Sequence, residues 1–214
     1  MIRLHYYPGN ASAIPHLLLE ELGVPFELVL VDRTQAAHKT PAYLKLNPNG
    51  QIPVLEDGAL VLYETAAICL HLADTHPQAR LAPALGTPER AGLYKWLMWM
   101  TNTFQAAILL YYYPERWLAE GNAAGAAELK AKAEAKIGAL LDQMEDHLAH
   151  GGGFFLADRY SVLDAYAFIL CRWTRNFSRP ARSLPRLGTF LERMLARPAT
   201  QRVIAREKLA PPIV

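Results

Sequence analysis

The sequence predicts an α/β domain over residues 1–76, a linker over 77–88 and an all-helical domain over 89–214. Three observations carry this division. A strand–helix–strand pattern is complete by residue 32, and such a unit needs a crossover that pairs its strands in parallel, with a right-handed connection. Two short apolar runs flank Asp57-Gly58, the residue pair of a tight hairpin, and Glu64-Thr65 opens an apolar helical run directly afterwards. No strand candidate follows residue 63, whereas helical periodicity recurs to the end of the chain.

Residues 2–7 alternate enough for a short strand, broken by Pro8-Gly9. Asn10-Ala11-Ser12 leads into a helix lined by Leu17, Leu18, Leu19 and Leu22 and closed by Gly23. Pro15 fits the first turn of that helix, where a missing N–H costs little. Residues 26–31 form the second strand, and Tyr43-Leu44-Lys45-Leu46 a short helix stopped by Asn47-Pro48. Val54-Leu55, entered through Ile52-Pro53, and residues 60–63 make the hairpin, and residues 65–75 its closing helix. The order βαβ–α–ββα gives a mixed four-stranded sheet with helices on its faces, the thioredoxin-like arrangement. Pro77, Pro83, Gly86 and Pro88 mark the linker.

Beyond it, residues 89–113 read as one long aromatic-rich helix carrying Tyr94, Trp96, Trp99 and Phe104. Residues 126–149 form a second, with Ile137, Leu140, Leu141, Met144 and Leu148 at helical spacing and glycines at 151–153 ending it. Ser161-Val162-Leu163-Asp164 has capping-box spacing, with Asp in place of the usual Glu, and opens a third helix through Trp173. Shorter helices cover 184–196 and 199–206.

Composition narrows the function classes. A net charge of +2 with scattered Arg and Lys gives no footing for nucleic acid. No apolar stretch reaches the roughly 20 residues of a membrane span, and Ile2-Arg3-Leu4-His5-Tyr6 lacks a signal-peptide pattern. Cys69 and Cys171 stand far apart in apolar runs without a C-x-x-C, so both read as small core residues. These features predict a cytoplasmic protein with no nucleic-acid or membrane partner and no metal.

The stretch from Asn49 to Ile68 carries the chemistry. Pro53 at the first residue of a strand cannot donate to the ladder and leaves neighbouring backbone open. If the Ile52–Pro53 bond is cis, it turns the backbone groups of Ile52 toward a ligand. Thr65 and the amides around it begin a helix, a place that favours a carboxylate. An open backbone edge beside such a helix start suits a peptide with a free carboxylate. The plain alternative is an ordinary hairpin running into a helix.

Several segments in order resemble the soluble glutathione transferases, nearest the bacterial beta-class branch. Tyr7-Pro8-Gly9-Asn10-Ala11-Ser12 and the run from His16 to Gly23 look like that branch's first strand and helix. Asn47-Pro48-Asn49-Gly50-Gln51-Ile52-Pro53-Val54-Leu55 matches the NPxGxVPxL segment, Glu64-Thr65 the E-S/T pair, and the run from Ala157 to Ala165 the capping-box segment. The resemblance implies a homodimer and glutathione as co-substrate. Ile52 would pair with the cysteinyl backbone beside Gln51 and a cis Pro53, Glu64 and Thr65 would hold the γ-glutamyl end, and His38 or Lys39 would reach the glycyl carboxylate. The same two residues also read as solvated loop charges. The implied activity is thiol activation for attack on a small apolar electrophile. The rivals are a glutathione-dependent disulfide reductase or peroxidase, and a non-catalytic binding protein.

The sequence departs from that branch at three places. Ala11 stands where beta-class enzymes typically carry a cysteine, and Met98 and Gln105 where the branch offers an Asn and a His facing the thiol. Thiol activation then falls to Ser12 first and Asn10 second, with Tyr6 and Tyr7 as rival donors. Ser12 also reads as a helix cap. The electrophile pocket is expected between the domains, with Tyr7, Asn102, Gln105 and Tyr112 as its polar groups, although the cluster from Tyr111 to Trp117 also reads as ordinary helix-end packing.

Overall fold

Short, largely apolar segments form a four-stranded sheet in the computed structural model, which describes residues 1–214. Its strands are β1 (Ile2–Tyr6), β2 (Phe26–Leu30), β3 (Val54–Asp57) and β4 (Leu60–Tyr63), in the spatial order β2-β1-β3-β4. β1 pairs with β2 in parallel from Ile2↔Phe26 to Tyr6↔Leu30, while β1–β3 and β3–β4 are antiparallel. The mixed sheet and its strand–helix–strand opening are those expected from the sequence.

The hairpin turn sits one residue beyond the expected Asp57-Gly58. Asp57 remains in the ladder opposite Leu60, so Gly58-Ala59 is the two-residue loop. Gly58 takes the positive φ of 61°, the first central position that glycine alone occupies without strain.

Helix α1 (Ala13–Leu22) crosses from β1 to β2, with every residue from Ala13 to Glu20 buried. Gly23 closes it in the left-handed conformation, donating its N–H to the Leu19 carbonyl. Helix α2 (Pro41–Leu44) is capped by the Thr40 hydroxyl, which accepts from the Tyr43 N–H. Helix α3 (Thr65–Thr75) follows the hairpin at the predicted residue and packs on α1. Both cysteines are buried, and burial raises both thiols.

By contact the chain divides into two units, Met1–Pro83 with Arg193–Pro211, and Ala84–Glu192 with Pro212–Val214. The sequence reading assigned all of 89–214 to the helical domain. The return of Arg193–Pro211 to the first unit has an electrostatic and a packing cause. Helix α9 (Pro198–Arg206), numbered last of nine, packs along α1. Arg202 and Arg206 reach the buried Glu20 at 2.5 and 2.6 Å, and Arg197 grips Glu21 with two hydrogen bonds. Burial alone would raise the Glu20 carboxyl, but its two arginine partners outweigh it and hold it below the usual range. Just past α9, Glu207 joins His16 Nδ1 at 2.7 Å and accepts the Gly9 N–H at 2.8 Å.

The second unit is helical. The long helix expected over 89–113 is α4 (Pro88–Trp99), a π-helical segment Met100–Gln105 and α5 (Ala106–Tyr112). Helix α6 spans Ala123–Ala149, and α8 spans Pro185–Leu195. Helix α7 (Val162–Trp173) is buried on all sides through Arg172. The capping box at its start is present in full: Asp164 accepts the Ser161 N–H and hydroxyl and also the Phe155 N–H, at 2.8 to 2.9 Å. Burial pushes its carboxyl up to about 7 against the pull of those donors.

Candidate functional site

The site is built on the end of β1, the entry to β3 and the starts of α1 and α3, all within the first unit. Asn47 makes the local scaffold. Its Oδ1 accepts the Asn49 N–H at 3.0 Å, its backbone carbonyl accepts the Gly50 N–H, and its Nδ2 donates to the Gln51 carbonyl at 2.9 Å. Gly50 stands at φ 59°, where an added Cβ would lie 3.1 Å from the His38 carbonyl oxygen. Glycine is therefore required twice over, for its conformation and for its lack of a side chain. This contact sets the turn Ala37–Lys39 beside the loop, with His38 half-buried and Lys39 exposed.

Gln51 presents its side chain to solvent, and Ile52 and Pro53 are buried, with the bond between them cis as the sequence suggested. The backbone N–H and C=O of Ile52 have no hydrogen-bond partner in the chain, although the residue is only 8% exposed. Buried backbone groups are nearly always paired, so this couple calls for an external partner. Ile52 packs with Val31, Tyr43 and Val54, and Tyr7 lies against the same cluster.

Beyond β4, Glu64 holds φ 72° and ψ 112°, a conformation rarely adopted by a side chain of its kind. Such outliers concentrate where a ligand is held. The first intrahelical bond of α3 runs from the Ile68 N–H to the Glu64 carbonyl, which leaves the amides of Thr65, Ala66 and Ala67 facing out of the helix start. The buried Thr65 adds a hydroxyl that no group of the chain binds. Three amides, a hydroxyl and the positive end of the helix dipole form a carboxylate receptor, and the exposed Glu64 beside it suits an ammonium group.

At the start of α1, Ser12 is fully buried and makes no cap, contrary to the helix-cap reading. Its hydroxyl turns back to Tyr7, donating to the Tyr7 carbonyl at 3.1 Å and accepting the Tyr7 N–H at 3.2 Å. Both contacts are long for a hydroxyl. The Tyr7 carbonyl also accepts the Asn10 N–H at 3.1 Å, and the Asn10 side-chain oxygen accepts from the Ala11 N–H. The Ser12 backbone N–H has no acceptor within the chain. Tyr7 itself carries the Arg33 guanidinium over its ring at 5.8 Å.

The remaining predicted residues lie in the helical unit. Asn102 is exposed on the π-helical segment, where its Oδ1 accepts from the Thr101 hydroxyl. Gln105 ends that segment and accepts from the Tyr166 hydroxyl at 2.6 Å. The Tyr112 hydroxyl donates to the Trp173 carbonyl at 2.5 Å, tying the end of α5 to the end of α7. Met98 is exposed on α4. Sequence reasoning missed Tyr43 and Asn47 as parts of the site. Proline, glycine and asparagine in a row announce the loop but not which carbonyl the asparagine holds. Glu207 was missed too, because only the folded chain brings it to Gly9.

Residues 2–74 match the model of the glutathione S-transferase N-terminal domain, and residues 115–206 that of the C-terminal domain. The chain is similar to glutathione S-transferase 3 of Zea mays, at 35% identity over 91% of this chain and 89% of that one. It also resembles the crystal structure of a glutathione transferase homologue from Sulfitobacter with bound glutathione, at 26% identity, 98% and 99% coverage and a TM-score of 0.89. A bacterial beta-class glutathione S-transferase of Sphingomonas chungbukensis matches at 29% identity, 97% and 100% coverage and a TM-score of 0.84.

Proposed function

The chain belongs to the glutathione S-transferase family and is a glutathione transferase, and on that premise we propose how it holds glutathione and activates the thiol. The tripeptide lies along the Ile52 edge with its cysteinyl N–H and C=O on the Ile52 C=O and N–H. The γ-glutamyl carboxylate takes the α3 start at Thr65, and its ammonium group takes Glu64. The glycyl carboxylate reaches His38 or Lys39, with the exposed Gln51 alongside. The observation that supports this most is the buried, unpartnered backbone of Ile52.

The sulfur then meets the Asn10–Ser12 turn. A thiol of pKa about 8.5 must fall by about two units to be largely ionised at neutral pH, which takes roughly 2.7 kcal/mol. One or two hydrogen bonds to the anion supply that, at about 1.5–3 kcal/mol each. Ser12 is arranged to give one. The Tyr7 N–H holds its oxygen, so the hydroxyl proton can turn from the Tyr7 carbonyl to the sulfur. That carbonyl is not stranded, because the Asn10 N–H stays on it. The Asn10 amide is the second donor. The thiol proton leaves to solvent, the thiolate forms a carbon–sulfur bond, and the leaving group departs with its electron pair.

For the electrophile, the reading assigns within the helical unit Asn102 and the NH2 of Gln105, whose carbonyl oxygen already accepts from Tyr166. Tyr112 serves the helical scaffold instead. Chemistry through a protein mixed disulfide has no support, since both cysteines are buried with raised thiols and Ala11 offers none. The same reading makes the protein a homodimer, which light scattering on the purified chain tests, and a cytoplasmic one, which fractionation of cells followed by immunoblotting tests.

Calorimetric titration with glutathione and with cysteinylglycine tests the binding reading, and conjugation to an aryl halide tests the chemistry. Glutathione is expected to bind at least tenfold tighter than cysteinylglycine and to be conjugated. Equal binding of the two would remove the Glu64–Thr65 contact. Activity confined to disulfide exchange would replace the transfer reaction by the reductase reading.

A further inference from the structure

The geometry points to Tyr43 and Asn47 as the residues that aim the Ile52 N–H at the substrate by holding the Gln51 carbonyl from behind. The inference rests on the reading that Ile52 meets the cysteinyl backbone. A trans peptide is planar, with its C=O and N–H pointing in opposite directions. The Gln51–Ile52 bond is trans, the only cis bond of the chain being the next one. Whatever fixes the Gln51 carbonyl therefore fixes the Ile52 N–H.

Two donors converge on that carbonyl, the Tyr43 hydroxyl at 2.7 Å and Asn47 Nδ2 at 2.9 Å, and together they occupy both of its lone pairs. Neither donor is loose. Tyr43 is buried at 6% exposure, with its ring edge-on to His5, and Asn47 at 2%. The opposite end of the Asn47 side chain accepts the Asn49 N–H, so its amide cannot flip without placing a donor against a donor. Desolvation raises the Tyr43 phenol further above its ordinary range, so it stays a hydroxyl donor at any working pH.

The arrangement has one consequence that ordinary loop bracing does not share. If the two residues only stabilised the loop, losing one would weaken every glutathione analogue alike. If they aim the Ile52 N–H, the loss falls on ligands whose cysteinyl carbonyl accepts that N–H. Both side chains act through the Gln51–Ile52 peptide, so both are positioning residues.

The experiment is a cycle between protein and ligand. Wild type, Tyr43→Phe and Asn47→Asp are each titrated with glutathione and with an analogue whose cysteinyl–glycine amide is replaced by a trans-alkene. Asn47→Asp keeps the acceptor for Asn49 and replaces the donor to Gln51 by an oxygen, and Tyr43→Phe keeps the buried ring. For the wild type, the alkene should bind about tenfold more weakly, the effect of one hydrogen bond. In either folded variant that ratio should shrink to about threefold or less while glutathione itself weakens. An unchanged tenfold ratio in a folded variant overturns the positioning role and leaves the Ile52 contact standing. A ratio of one in the wild type removes the Ile52 contact itself, and the inference with it.

Discussion

Replacing Ser12 by alanine separates two roles of a single hydroxyl. In the fold it closes a small ring with Tyr7, through contacts of 3.1 and 3.2 Å. Its loss leaves the Tyr7 carbonyl with the Asn10 N–H but the Tyr7 N–H with no acceptor. An unsatisfied buried donor costs about 1–3 kcal/mol, so the variant should unfold about 2 kcal/mol more easily by urea denaturation. In the reaction, the same deletion removes one hydrogen bond to the thiolate. At about 1.5–3 kcal/mol, and 1.36 kcal/mol per pKa unit, that raises the bound thiol by roughly one to two units. The assay is the ultraviolet absorbance of the thiolate, titrated against pH with glutathione saturating both proteins. If stability falls as calculated while the bound thiol stays where it was, Ser12 is a staple for the Tyr7 turn and nothing more. Asn10→Ala, run in parallel, should then carry the whole shift.

Three further perturbations test the frame around the site. Glu207→Ala removes the partner of the buried His16 Nδ1 and one contact of the Gly9 N–H, and should lower the unfolding free energy by about 1–3 kcal/mol, read by denaturant titration. Glu20→Gln should cost roughly 1 kcal/mol near neutral pH, a modest figure because Arg202 and Arg206 are half-exposed. Since the Glu20 carboxyl is held below its usual 4.5, its contribution is present above that pH and lost as pH falls through the depressed value. Wild-type and variant stabilities should therefore converge in acid, and a gap that persists there would rule out the ion pair as its cause. Gly50→Ala forces a positive φ on a side chain and drives a Cβ toward the His38 carbonyl. It should destabilise by about 1–2 kcal/mol and weaken glutathione more than cysteinylglycine amide, which lacks both terminal carboxylates, in a calorimetric comparison.

What could be seen in the sequence was what short-range patterns encode. Gly23 at a helix end, the Ser161–Asp164 box, Thr65 as the first residue of α3 and the extended run into Pro53 each follow from residues within a few positions of one another. The misses have physical reasons. The hairpin rule favoured Asp57-Gly58, but pairing with Ile2 and Leu60 keeps Asp57 in the ladder and moves the turn along by one. The π-helical segment at Met100–Gln105 has no compositional signature, because its residues are ordinary helix residues. Ser12 was placed at the helix start, yet which neighbour its hydroxyl chooses depends on how Pro8-Gly9 folds the chain back. The ion pairs joining α1 to α9 link residues more than 170 positions apart, beyond the reach of any periodicity.

Those distant pairs also bear on how the protein is made. His16 and Glu207 are separated by 191 residues, so α1 leaves the ribosome long before its buried partner exists. At about 5–20 residues per second the interval is roughly 10–40 s. During it the sheet can form, but Glu20, Glu21, His16 and the Gly9 amide must remain hydrated. The turn that carries Asn10 and Ser12 is anchored from the far end of the chain. A nascent or truncated chain ending before Glu207 would thus hold the strands of the binding domain without its finished thiol loop, and activity would mark the completed polypeptide.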